Sequence, residues 1–198
     1  MRFRQQVIVL MMAAAALLSA SIVGAEMVRH MNLDDLTENA GKIFRAKVLA
    51  MQPGTVTAGG SELPTVMYRL EVVDAIKGVV NSQSNYAGTT ITMQMLGSSK
   101  GRPVENGVKY VGGFKPISLE IGSEYLLFTT QPSSIGLSTT VGMAQGAFKV
   151  QTIEKEDRVA NGLNNQGLFR GISQGTFPDS GPIRYADLVA RIRVEMSN

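Results

Sequence analysis

The chain of 198 residues has no cysteine, no tryptophan and a single histidine, His30. Without cysteine there is no disulfide and no thiolate, so a stable fold must come from its core alone. Tetrahedral zinc takes three or four His, Cys or carboxylate ligands, and one histidine without cysteine leaves only carboxylates. Long apolar runs are also scarce. The one such stretch, Val7 to Leu18, is shorter than the about 20 residues of a membrane span.

That stretch follows Arg2 and Arg4 and leads to Val23-Gly24-Ala25. A basic start, an apolar middle and a small-residue end make a secretory signal over residues 1–25, with Ala25 as the last residue removed and Ala20 as the second choice. The rival reading is a membrane anchor, which Ser19 and Ser21 dilute. Export places the protein in the periplasm or the medium, with no membrane span after removal of the signal. Arg2 and Arg4 are two of 19 basic residues, and all 16 acidic ones lie beyond Ala25. The mature chain therefore carries 17 positive against 16 negative charges, a net of +1. No Lys/Arg cluster longer than two residues forms a basic face, which argues against nucleic-acid binding.

What remains reads as one domain, 26–198. Met31 to Gly41 is a short helix: Asn32 caps it, Asp34 and Asp35 suit the positive end of its dipole, Leu33, Leu36 and Ala40 form a stripe, and Gly41 stops it. Ile43 to Met51 alternates, with Phe44, Ala46, Val48 and Ala50 on one face. Gln52 to Leu63, with Pro53, Gly54, Gly59 and Gly60, reads as a long exposed loop. Thr65 to Ile76 and Thr89 to Leu96 alternate again, and three alternating strands favour an antiparallel sheet. Gly97 to Gly113 is glycine-rich and polar. Ile121 to Val150 supplies two or three short strands whose core residues are Tyr125, Leu127, Phe128, Val141, Phe148 and Val150, with Gly142 and Gly146 permitting a bend. A core over 33–150, a polar extension over 151–180 holding at most short edge strands, and a helix over 183–196 complete the chain. Asp187, Arg191 and Arg193 form the wet side of that helix. Short strands with glycine-rich turns between two helices point to a mainly β fold, a small barrel or sandwich.

The order of four motifs resembles a group of uncharacterised exported bacterial proteins: Ile43-Phe44-Arg45-Ala46-Lys47-Val48, the strand from Val66 ending at Lys77-Gly78, Gly122 to Phe128, and Val141 to Val150. Their strand pattern is that of the OB-fold barrel of netrin modules and tissue inhibitors of metalloproteinases. The resemblance implies a small, closed or partly open antiparallel barrel. The inhibitors present an N-terminal cysteine amine to zinc; here the mature chain would begin at Glu26, so that chemistry does not carry over.

The chemical motifs are incomplete. Gly97-Ser98-Ser99-Lys100-Gly101 has the G-x-S-x-G spacing of a nucleophile elbow, but Arg102-Pro103 follows instead of a helix, and the only histidine lies upstream. A dyad of Ser98 or Ser99 with Lys100 would need a buried, neutral lysine. Calcium lacks its acidic loop, so Asp34, Asp35 and Glu38 read as helix charges. Met93 and Met95 could bind cuprous copper, as could His30 with Met27 and Met31; on a strand, spacing by two also places both methionines in the core with Ile91. Gly142 to Gly146 lacks the ending of a phosphate loop. No catalytic, cofactor-binding or metal residue is assigned. The expectation is a non-catalytic binding module, its partner another exported protein, contacted through Gln52–Leu63 and Gly97–Gly113. A hydrolase using Ser99 is the alternative, and metalloprotease inhibition by fold analogy the third.

Overall fold

The computed structural model describes residues 29–78, 88–97, 117–172 and 177–197. The expected signal, residues 1–25, and Ser99 lie outside them. Helix α1 (Leu33–Asn39) is closed by a reciprocal capping box: the Asn32 side chain accepts from Asp35 N–H, and the Asp35 carboxylate accepts from Asn32 N–H. Its end differs from expectation. Ala40 is extended, and Gly41 is needed for space, because a Cβ there would sit 2.7 Å from the Gln131 backbone nitrogen.

Seven strands follow: β1 (Lys42–Ala58), β2 (Ser61–Lys77), β3 (Thr90–Leu96), β4 (Glu124–Thr129), β5 (Ala147–Ile153), β6 (Glu156–Asn161) and β7 (Ile183–Arg184), the last leading directly into helix α2 (Tyr185–Glu195). They form one antiparallel sheet in the order β3-β2-β1-β4-β5-β6-β7, not closed by a strand ladder between its ends.

The stretch Gln52–Leu63 is a hairpin and not a loop. Val56 faces Leu63, Thr57 faces Glu62, and only Gly59 and Gly60 turn, both at positive φ. A two-residue Gly-Gly connection with left-handed residues matches the strands' own twist. Pro53 is tolerated because β4 pairs with β1 only over Lys42–Lys47, so the outer edge of β1 needs no donor there. Within Ile121 to Val150 only β4 and β5 are full strands: Thr140 makes a single bridge to Thr129, and a 3₁₀ turn over Met143–Gly146 follows. The polar extension contributes β6 to the interior of the sheet order, flanked by β5 and β7.

Two cores lie on opposite faces. Leu33 and Leu36 of α1, Leu188 and Ile192 of α2, and Ile43, Leu126, Phe128, Phe148 and Val159 make one. Phe44, Ala46, Val48, Tyr68, Leu70, Met93, Met95, Leu119, Tyr125 and Leu127 make the other. Strand β4 therefore buries both faces, which explains its unbroken Tyr-Leu-Leu-Phe run. Of the expected core residues in this region only Val150 is half-buried; Leu126 is buried as well.

Candidate functional site: an apolar groove beside strand β3

After β4 the chain doubles back. Thr130 N–H donates to Thr139 O, and Val141 N–H to Phe128 O, so Thr130–Val141 folds as a loop returning to the end of β4. A tight turn shapes its tip, with Gly136 N–H donating to Ser133 O and Leu137 N–H to Ser133 Oγ. The returning arm reaches the free edge of β3, where Leu137 forms a parallel bridge to Gln94 and Ser138 N–H donates to Gln94 O.

Between this loop, the end of β3 and the chain before α1 lies a groove of about 610 Å³. Its walls include Met31, Met95, Leu96, Leu137, Val141 and Met143, and its rim holds Asn39, Gln131, Ser133 and Thr139. Leu96 is 38% exposed, an apolar side chain open to solvent at the groove.

Met31 is held there by a buried amide. Gln145 Oε1 accepts from Met31 N–H at 2.8 Å, and its Nε2 donates to Arg29 O at 3.0 Å. Gln145 is itself fixed from behind by Asn161, whose Nδ2 donates to Gln145 O. Gly142 makes room: a Cβ there would lie 2.9 Å from the Met31 sulfur. Met143 has a φ of 60°, a left-handed conformation uncommon for a side chain of its kind and one that often marks functional loops. Thr140 Oγ1, in the groove wall, is buried without a hydrogen-bond partner.

Among the described residues, no side chain lining the groove is ionisable at neutral pH. Its chemistry is adaptable apolar contact from thioethers and branched chains, with neutral hydrogen-bonding groups at the rim.

The charged groups gather on the other face. Arg45 Nε donates to Glu124 at 2.8 Å and Nη1 to Asp157 at 2.7 Å, while its guanidinium stands 4.9 Å from the centre of the Tyr185 ring. Tyr185 OH donates to Asp74 at 2.7 Å. The hydrogen bond from Arg45, then that from Thr152, holds the Asp157 carboxyl below its ordinary range. Burial, then the Asp74 partner, pushes the Tyr185 hydroxyl up. These groups satisfy one another and pin α2 to the sheet.

The residues singled out by sequence are dispersed. Met93 and Met95 lie buried on the core face, with Met95 also reaching the groove. His30 is exposed near Gly167 and Arg170. Ser98, Ser99 and Lys100 lie outside the described residues, as do Met27 and most of Gly97–Gly113. Asp35 caps α1 and pairs with Arg29. The groove loop is a residue set that the sequence analysis does not single out; Pro132 and Gly136 around a Ser/Thr-rich stretch with Leu137 are its signal in the sequence. No family model, curated protein or solved structure matches the chain, so the groove has to be read from its own geometry.

Proposed function

We propose that this is an exported, non-catalytic binding module whose groove beside β3 receives uncharged apolar side chains of another exported protein. The observation that carries the reading is the lining in a groove of about 610 Å³: thioether and aliphatic walls, a neutral polar rim and, among the described residues, no ionisable group. Methionine-rich apolar surfaces repack around varied partners, which suits recognition of side chains more than of one rigid small molecule. Export rests on the three-part signal of residues 1–25.

The scaffold we infer is a partly open, OB-like barrel. Three register shifts in β1, between Ile43 and Phe44, Arg45 and Ala46, and Val48 and Ala50, support it, because bulges bend a sheet. So does the Leu137 bridge, which links β3 to β4 through the groove loop and encircles the second core. The groove would then lie at the barrel's incomplete side, where a partner's chain could fill the gap.

The test uses the neutral dye Nile red and an apolar peptide as probes. Leu137→Asp places a charge in the wall, and binding should fall at least tenfold while the thermal melt stays within a few degrees. Unchanged binding in that variant, or no binding by the wild type, would retire the groove as the recognition site.

A further inference from the structure

One buried side chain holds the chain that leads into α1. Gln145 is 3% exposed and stands on the 3₁₀ turn Met143–Gly146. Its amide grips the main chain on either side of His30: Oε1 accepts from Met31 N–H at 2.8 Å, and Nε2 donates to Arg29 O at 3.0 Å. A carbonyl and an N–H two positions apart are the groups that one residue of a parallel neighbouring strand would engage. The side-chain amide here does the work of a peptide group. Both bonds go to main-chain atoms, so they do not depend on which side chains the segment carries.

The attachment of this chain changes at Asn32. From there onward it is bound to the body of the fold: Asn32 Nδ2 donates to Arg170 O, Leu33 N–H donates to Leu168 O, and the capping box opens α1. Before Asn32, the bonds to Gln145 are joined by the Arg29–Asp35 ion pair, but the Arg29 side chain is 80% exposed and such pairs add little. Met31 is half-buried and lies over Gly142 in the groove wall. Gln145 is fixed without help from the segment. Its Nε2 also reaches Gly142 O at 3.3 Å, and its own carbonyl accepts from Asn161 Nδ2. Asn161 is set in turn by the Leu163 and Asn165 N–H groups that donate to its Oδ1. The grip is rigid, and what it holds is lightly attached.

We propose that the Gln145 amide is a backbone clamp for one peptide segment, filled in the free protein by the chain's own Arg29–Met31, and that a segment of the exported partner binds by displacing this strap. The clamp rests on the reading of the groove as the recognition site and adds how the partner's main chain is gripped there. The occupant in place defines the chemistry of its replacement. It must offer a carbonyl and, two residues on, an N–H whose residue carries an unbranched apolar side chain to lie over Gly142 as Met31 does. A tethered strap competes at high local concentration, so the partner's apparent affinity is lowered by the fraction of molecules in which the strap is open. Weakening the strap while sparing the clamp should therefore raise that affinity.

The experiment titrates a fluorescent peptide of residues 27–33 into the wild type, Met31→Ser and Gln145→Met. Met31→Ser removes the apolar anchor of the strap and leaves the clamp, so peptide binding should tighten about tenfold. Gln145→Met keeps the side-chain volume and loses both backbone bonds; its strap is loosened too, yet binding should not tighten. No gain in Met31→Ser, or an equal gain in both variants, overturns the clamp. Hydrogen exchange of the wild type needs no variant. The peptide should speed exchange of the Met31 amide several-fold, and unchanged or slowed exchange overturns displacement. A dimer that forms with rising concentration and is lost in Gln145→Met would give the site to the strap of a second copy and overturn the partner. Nile red separates this failure from that of the groove. Dye expelled by Leu137→Asp, with no peptide gain in Met31→Ser, keeps the groove and retires the clamp; a peptide gain with dye indifferent to Leu137→Asp does the reverse.

Discussion

The two cores on either face of the sheet are sealed in different ways. The one beneath the helices is bordered by charge: Arg45 with Glu124 and Asp157, Tyr185 with Asp74, and Arg191 with Glu195. At the edge of the one enclosed by β1 to β4, Tyr68 OH accepts from Leu119 N–H and Tyr125 OH from Glu120 N–H, while the Glu120–Lys149 ion pair lies exposed outside them. Helices have no edge to pair with a sheet, so side chains must fix them in place, and long-range ion pairs do so directionally. Strands and returning loops are fixed by backbone bonds, which frees their side chains for an uncharged groove. Solution pH should therefore act on the helical half, and apolar ligands on the other.

The largest test concerns whether the halves are separate at all. Phe128 is fully buried and packs at 5.5 Å from the Phe148 ring centre, so Phe128→Ala should cost about 3–5 kcal/mol. Because β4 gives Leu126 and Phe128 to one core and Tyr125 and Leu127 to the other, both should unfold in one calorimetric step. A melt that splits into two would break the comparison into two independent units.

A smaller effect sharpens it. Tyr68→Phe leaves the buried Leu119 N–H unpaired, at a cost of about 1–3 kcal/mol, and denaturant midpoints should show that loss equally at acidic and neutral pH. Strong pH dependence would mean that charge reaches this core after all.

The smallest effect carries the sign of the charged margin. The Asp157 carboxyl is held low by Arg45, so its contribution is present above its unfolded pKa and lost as pH falls through the folded one. Its side chain is 33% exposed, which limits the contribution to below about 1 kcal/mol. Arg45→Met should remove this part of the acid sensitivity in urea titrations, and an unaltered acid limb would show that Asp157 draws nothing from Arg45.

Much of the fold was legible because its causes are local. The Asn32–Asp35 capping box spans three residues, and the alternation from Val66 to Val72 needs only the twofold period of a strand. The hairpin at Gly59-Gly60 was legible in principle but was hidden by Pro53 and Gly54, which read as breakers until the outer edge of β1 proves to be unpaired. The helix over Tyr185–Glu195 was foreseen, but Arg191 was set on its wet side, whereas it lies largely buried against Glu195 because α1 covers that turn.

The sequence by itself determined the absence of disulfides, the near-neutral charge beyond Ala25, the helices at either end and most strand faces, since each follows from composition or from neighbours within a few positions. Only the tertiary structure decided the two cores, the groove and the charged margin. Arg45 and Asp157 are 112 positions apart, and Met31 and Gln145 are 114 apart. Partners at such separations leave no periodic signal; they meet only after the sheet has fixed which strands are neighbours.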